Sequence, residues 1–171
     1  MAQTFRTYCA GVAFAATKNM HAILNGHATE ILKIRRVGLS NAQTAAVTGV
    51  VCAMEHRLYT GSGSLTAPTA VTPVSMDSTN TAPTTATYGH AGTIGGTANT
   101  LNAWIWSSDE AAVSAATSDE LECLIPLNVI YDWIPHSDVQ PITLRQNQMN
   151  MVYNVSGAAG LLHSYQDFTK E

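Results

Sequence analysis

Apolar residues in this chain occur in short, often β-branched runs separated by polar turns. In two of these runs apolar and polar positions alternate with a period of two, which predicts strands that bury one face. About nine candidate strands follow one another at a spacing of roughly 8–12 residues, as in sandwiches and barrels. We therefore predict an all-β fold, an antiparallel β-sandwich with jelly-roll-like connectivity. The candidate strands lie at 30–39, 49–59, 70–76, 101–106, 121–134, 139–145, 149–156 and 160–169.

The alternation is clearest in GVVCAMEHRLY at 49–59 and in EILKIRRVGL at 30–39. In the second range Leu32 and Ile34 share one face, and charged residues share the other. In the first range His56 is the exception on the apolar face, and we interpret it as a core histidine with hydrogen-bond partners rather than a metal ligand. The predicted apolar face of 49–59 holds Val50, Cys52, Met54 and Leu58.

Prolines and glycines divide the remaining runs. Pro73 has no N–H for a ladder, so 70–76 is predicted to form only a short or edge strand. Pro126 should split 121–134 into two strands. The strands at 149–156 and 160–169 are predicted to form a hairpin through a glycine-containing loop. The segment 107–120, SSDEAAVSAATSDE, is predicted to be a loop with at most one short helical turn.

Residues 78–100 form a long Thr/Ala/Gly-rich stretch that contains no Asp, Glu, Lys or Arg. A segment of this composition buries little apolar surface. We therefore predict that it is a long loop, which becomes ordered when it contacts a partner. We predict that it acts as a contact loop, and that residues 1–20 act as an N-terminal arm. The alternative is an exposed loop without partners.

Composition fits one domain over residues 1–171. Charged residues make up only 12% of the chain, about half the roughly 25% of an ordinary soluble domain. The chain has 24 Ala and 21 Thr, so small neutral residues stand where Lys and Glu would cover a free surface. Such a surface is poorly protected against association, which indicates that much of it is covered in use.

Charge and cysteine content exclude several classes of protein. The net charge is −4 and basic residues are scattered apart from 33–36, which argues against nucleic-acid binding. Cys9, Cys52 and Cys123 are far apart and odd in number, so they are predicted to be buried thiols rather than a disulfide framework. No signal peptide and no membrane span is expected.

Candidate chemistry is sparse. The six histidines offer no metal-binding pair at helical or strand spacing, and no nucleophile or phosphate-binding motif occurs. The best acid/base or metal candidate is DWIPHSD, which groups Asp132, His136 and Asp138 around a proline turn. A polar loop that bonds its own backbone is the competing interpretation. We predict no catalytic residue, metal or cofactor.

Aromatic residues form two short stripes. Trp104 and Trp106 are two residues apart, as are Tyr131 and Trp133, so in a strand each pair points to one side. We interpret them as core anchors. An exposed platform of this kind would instead indicate glycan binding or a subunit contact.

Several segments resemble small β-sandwich structural proteins of tailed bacteriophages. They are TAAVTGVVCAMEHR, AVTPVSMDSTN, SDEAAVSAATSDELECLIPLNVIYD and QPITLRQNQ. The resemblance runs from about residue 40 to the end and is one of pattern. It departs at 146–148, where Gln-Asn-Gln stands in place of a glycine-containing turn.

The resemblance implies a non-enzymatic virion protein, a capsid decoration or cement protein that stabilises the shell. Its implied partners are the major capsid protein and copies of itself, as a trimer or dimer, with no nucleic acid or membrane. Its implied location is the capsid surface, after synthesis in the host cytoplasm. The alternatives are a tail, fibre or head-surface module that binds host glycan, and a small enzyme or metal protein built on Asp132. The candidate interface residues are Thr84, Thr85, Tyr88, His90, Ile94, Trp104 and Trp106.

Overall fold

The structure is a computed structural model that describes residues 3–42, 50–108, 129–157 and 160–171. These residues form fourteen strands and contain no helix. The strands are β1 (Gln3–Ala13), β2 (Lys18–Asn25), β3 (Leu32–Asn41), β4 (Val50–Tyr59), β5 (Ser64–Thr66), β6 (Thr69–Ala70), β7 (Val74–Ser75), β8 (Thr87–His90), β9 (Thr93–Gly95), β10 (Ala98–Ser108), β11 (Val129–Trp133), β12 (Ile142–Leu144), β13 (Gln148–Ser156) and β14 (Leu161–Lys170).

Two six-stranded antiparallel sheets carry the fold. Sheet 1 has the order β11-β3-β14-β1-β7, with β12 also paired to β3. Sheet 2 has the order β10-β4-β13-β2-β8-β6. The chain passes repeatedly from one sheet to the other, which confirms the predicted all-β class and agrees with a β-sandwich. Jelly-roll connectivity stays a prediction.

The main core lies between the two sheets. Phe5 of β1 and Phe168 of β14 stack with ring centroids 5.4 Å apart, and Tyr88 of β8 stacks on Phe168 at 5.5 Å. Leu32 and Ile34 of β3 are fully buried in the same cluster, whereas Lys33 and Arg35 on the other face are only partly buried. The predicted alternation at 30–39 is therefore confirmed.

A third, two-stranded sheet of β5 and β9 covers part of the outer face of sheet 2. Leu65 of β5 and Ile94 of β9 pack with Met149 and Met151 of β13 in a second apolar cluster. Strands β13 and β2 consequently bury residues on both faces. The short sheet covers only some of the outer face, so the rest is open to contacts.

Pro73 separates two very short strands, as its missing N–H predicts. Strand β6 before it is the last strand of sheet 2, and β7 after it is the last strand of sheet 1. The prediction of a short or edge strand at 70–76 is confirmed. Each piece is two residues long.

Two predicted contact segments form parts of the sheets instead. Residues 3–13, predicted as part of an N-terminal arm, form β1, which pairs with β14 over nearly its whole length. Within 78–100, residues 87–90 pair with β2 and β6, 93–95 pair with β5, and β10 begins at residue 98. The chain's own distant strands order these residues, so the predicted loop is shortened to 78–86.

The predicted hairpin at 149–156 and 160–169 is wrong. Strand β13 pairs with β2 and β4 in sheet 2, and β14 pairs with β1 and β3 in sheet 1. The connection between them crosses from one sheet to the other. Gly157 and Gly160 on either side of it have φ angles of 114° and 112°, which glycine adopts without a steric penalty.

Two further predictions fall partly outside the described residues. Most of the predicted helical turn at 107–120 lies outside the described residues. So does the first half of 121–134, including Pro126, whereas the second half of that range forms β11. Cys9 and Cys52 are buried free thiols, as predicted, and Cys123 lies outside the described residues.

Candidate interaction surface

Strand β10 ends sheet 2 with a long unprotected edge. It pairs along one side with β4, and no other described strand pairs with its second side. Its eleven residues, ANTLNAWIWSS, include no charged residue and no proline. Charges, prolines, short length and bulges are the usual means by which an edge strand avoids pairing with another chain. β10 has no charge or proline and is long, and its one bulge is at Leu101, so among the described residues the side away from β4 is open to a further strand.

The other described edge strands of the two large sheets are short and are flanked by proline or carry a charge. Strands β6 and β7 at the far side of the sandwich have two residues each, with Pro68 and Pro73 beside them. Strand β11 has five residues and carries the charged Asp132. Among the described strands β10 is thus the one edge that is both long and uncharged.

Apolar side chains are exposed along β10. Ile105 is 73% exposed, which is the largest value for any large apolar residue described, and Leu101 is 46% exposed. Leu101 occupies a bulge and has no partner on β4, since Thr100 pairs with Arg57 and Asn102 with His56. A shallow groove of about 220 Å³ beside this edge is lined by Ala53, Met54, Glu55, Ala103, Trp104, Ile105 and Val155.

An aromatic cluster supports the inner face of β10. Trp104 stacks on Tyr131 of β11 with ring centroids 4.2 Å apart and planes 7° from parallel. His56 makes edge contacts with Tyr131 and Trp133 at 5.8 and 5.6 Å. The aromatic residues that we described bridge the two sheets behind the edge, which confirms the core-anchor interpretation for Trp104. One face of its ring is already covered and cannot serve a glycan.

A hydrogen-bonded chain continues from this cluster into the core. The Tyr131 hydroxyl lies 3.0 Å from His56 Nδ1, and His56 Nε2 lies 2.8 Å from Asn150 Oδ1. Asn150 Nδ2 donates to Gln166 Oε1 at 2.9 Å, and Gln166 Nε2 donates to the His21 carbonyl at 3.3 Å. Because Asn150 Oδ1 only accepts, the proton of His56 lies on Nε2 and Nδ1 accepts from Tyr131.

Burial keeps both core histidines neutral. Desolvation lowers the pKa of His56 to about 4, partly opposed by the hydrogen bond to Asn150. Desolvation, with a contribution from His90, lowers the pKa of His21 to about 3. His21 Nδ1 lies 2.9 Å from Ser164 Oγ. The interpretation of His56 as a core histidine with partners is confirmed.

The outer face of sheet 1 has the opposite character. Arg6 donates twice to Asp167, at 2.6 and 2.8 Å, and Arg36 donates twice to Asp132, at 2.8 and 2.7 Å. Both guanidinium groups lie about 5 Å from the Tyr165 ring, at 5.0 and 5.2 Å. This face presents satisfied, hydrated charges that are costly to strip of water. It is therefore less suited to a broad contact than the β10 edge.

The predicted acid/base group does not assemble. Asp132 is committed to the ion pair with Arg36, while His136 and Asp138 lie exposed in the following turn. Among the described residues no three His, Cys, Asp or Glu side chains are close enough to hold a metal ion. The prediction of a site at these three residues is therefore not supported by their placement.

The predicted interface residues are dispersed. Thr84 and Thr85 are exposed in the loop, His90 is half-buried at the end of β8, and Ile94 packs in the outer apolar cluster. Tyr88 is only 6% exposed, and burial raises the pKa of its hydroxyl. The side chain of Trp106 lies outside the description. Tyr88 is a core residue, so its assignment to an interface is corrected.

Sequence reasoning missed the edge position of β10 and the buried polar chain. Residues 78–108 contain no Asp, Glu, Lys or Arg, so the absence of charge continues from the predicted loop into β10 and gave no separate signal for the first. For the second there was none, because His56, Asn150 and Gln166 are far apart in the sequence.

Within the described part of the chain, no helix has the length and apolar character needed to cross a membrane. Comparison with protein-family models, curated proteins and solved structures finds no match to this chain.

Proposed function

We propose that this protein is a non-enzymatic structural subunit of a virus particle, of the capsid decoration or cement type. It stabilises the shell through strand pairing at the β10 edge, with the capsid protein or with another copy of this chain. The observation that carries the proposal is the eleven-residue uncharged edge that ends a six-stranded sheet. The capsid location rests on the resemblance of residues 40–171 to phage structural proteins.

An open edge binds through main-chain hydrogen bonds, with side chains supplying specificity. Ile105 and Leu101 project from β10 and lose exposed apolar area when another strand packs there. Few charges need to be stripped of water in such a contact, which suits a chain with only 12% charged residues. The proposed partners are the major capsid protein and further copies of this chain.

A single strand pairing is a small interface and is weak alone. A shell repeats the same contact at many equivalent positions. Linked contacts raise apparent affinity by about 10²–10⁴ without any new interaction. The protein would therefore dissociate readily as a free subunit and stay bound as part of a lattice.

Glycan binding through exposed aromatic residues is the weaker alternative. Trp104 and Tyr131 cover one another's ring faces, which removes the platform that a sugar ring would need.

The test is attachment to purified particles of the virus that encodes the chain. Wild-type protein should be recovered in a fixed ratio to the major capsid protein. Ile105→Lys should lower occupancy by roughly tenfold or more, because a charged side chain must be buried in the contact.

Val139→Lys is the matched control, since Val139 is an exposed β-branched residue in the turn after β11, away from β10. Its occupancy should equal that of wild type. Absence of the wild-type chain from particles, or equal occupancy of the two variants, would contradict the proposal.

A further inference from the structure

We infer that β10 pairs with β10 of a second copy of this chain, antiparallel, with Ala103 on the two-fold axis. The inference rests on the proposed function in that it names the partner of the same edge. The result is a continuous sheet of twelve strands made from sheet 2 of each copy.

The backbone at Ala103 faces the free side of the strand. Its N–H donates to the side chain of Asn102, with Ala103 N to Asn102 Oδ1 at 2.9 Å, rather than to a carbonyl of β4. In an antiparallel strand the N–H and C=O of one residue point to the same side, and the side alternates along the chain. Ala103, Ile105 and Ser107 therefore present donors and acceptors to an incoming strand.

Asn102 keeps the Ala103 N–H satisfied in the free chain. Its side chain can rotate away when the N–H gains a carbonyl from the second copy, so pairing leaves no buried donor unpartnered. The Ala103 N–H therefore has a hydrogen-bond partner in the free chain and in the dimer.

The exposed apolar side chains of β10 lie on either side of Ala103. A two-fold axis there brings the bulge at Leu101 level with Ile105 of the second copy, and Ile105 level with that copy's bulge. Leu101 and Ile105 are the two exposed large apolar residues of the strand. Ala103 between them is small, so the two backbones can approach at the ordinary strand spacing of about 4.8 Å.

Charge also favours a second copy. β10 itself is uncharged, and the nearest charges on β4, Glu55 and Arg57, are paired to each other at 2.6 Å. No like charges meet across the axis, although the chain carries a net charge of −4. Among the described edges, only another β10 is long enough to pair along the full strand.

The first test measures the mass of the full chain in solution by light scattering over a range of concentrations. Wild type should approach twice the 18.2 kDa chain mass as concentration rises. Ile105→Lys should weaken the dimer by roughly tenfold or more, because two lysines then face the contact. Val139→Lys should dimerise as wild type does.

The second test fixes the register with a short bis-maleimide. Ala103→Cys should cross-link to its own copy, because the axis passes through that residue. Asn99→Cys should not, since its copy would lie eight residues away, about 26 Å along the strand. The wild-type chain gives the background from the native thiols, of which Cys9 and Cys52 are buried.

Any of three results would overturn the inference. The first is a wild-type monomer at the highest soluble concentration, and the second is a dimer that both lysine variants retain. The third is equal cross-linking of both cysteine variants. Attachment to particles is read separately. If Ile105→Lys lost attachment while wild type stayed monomeric, the proposed function would stand, with the partner strand belonging to the capsid protein.

Discussion

Trp104 of sheet 2 and Tyr131 of sheet 1 stack face to face, with ring centroids 4.2 Å apart and planes 7° from parallel. The stack joins the two sheets at the side where β10 lies and packs against the main core. It places a rigid aromatic layer directly behind the strand that we propose as the contact edge.

Trp104→Ala should lower the free energy of unfolding by about 2–4 kcal/mol, through lost apolar burial and the lost aromatic pair. Trp104→Phe should lower the free energy of unfolding by less than half as much, because a smaller ring can still stack. Urea denaturation followed by Tyr and Trp fluorescence measures both. An alanine variant as stable as wild type would show that the stack contributes nothing.

The two buried histidines should make the fold sensitive to mild acid. Their folded pKa values of about 4 and about 3 lie below the ordinary value of 6.5. The unfolded chain therefore binds more protons than the folded one below pH 6.5, and stability falls as pH falls. Between pH 6.5 and 5 the loss should be about 2 kcal/mol for each histidine.

His56→Gln is the control for this pH dependence. Its amide can donate to Asn150 and accept from Tyr131, and it does not titrate. The slope of unfolding free energy against pH between 6.5 and 5 should fall by roughly a third to a half, because burial also lowers the pKa of His90. An unchanged slope would mean that His56 does not remain neutral in the folded state.

Gly38→Ala should be destabilising. A methyl group at Gly38 would overlap the outer end of the half-buried Tyr165 ring that lies across it, and moving that ring breaks its contacts with Arg6 and Arg36. We expect a loss of about 1–2 kcal/mol.

Gly61→Ala is the matched control, because Gly61 is exposed and a methyl group there meets no atom within 4 Å. It should be neutral within about 0.5 kcal/mol. Equal melting temperatures for the two variants would contradict the packing of Tyr165 on Gly38.

The described thiols should be inert in the folded chain. Burial raises the pKa of Cys9 to about 12 and also raises the pKa of Cys52, so little reactive thiolate forms near pH 8. In a Cys123→Ser background an aromatic disulfide reagent should titrate no thiol without urea and two in urea. Rapid labelling of either thiol in the native chain would contradict the buried placement.

The sequence predicts the parts of the fold that follow a local pattern. Alternation identified 30–39, and Pro73 identified 70–76 as a short or edge strand. The pattern fails at β2, where Asn19, His21 and Asn25 are buried with partners far along the chain. In a strand pattern a polar residue predicts an exposed position. The distant hydrogen-bond partners that allow its burial are not visible in the local sequence.

The same reason explains the error at 78–100. Its composition predicts a loop because few of its residues bury apolar surface. Short strands form there because β2 and β5 supply hydrogen-bond partners from elsewhere in the chain. The edge that we propose for the contact begins at the end of this stretch, at residue 98.

The chain of hydrogen bonds from Tyr131 to the His21 carbonyl crosses between the sheets more than once, since Tyr131 and Gln166 belong to sheet 1 and His56 and Asn150 to sheet 2. A slide of one sheet on the other disturbs the interdigitated apolar side chains between them. A slide of one residue here would leave several buried donors and acceptors without partners, each costing about 1–3 kcal/mol. The polar interior therefore fixes the alignment of one sheet on the other, and with it the position of the β10 edge.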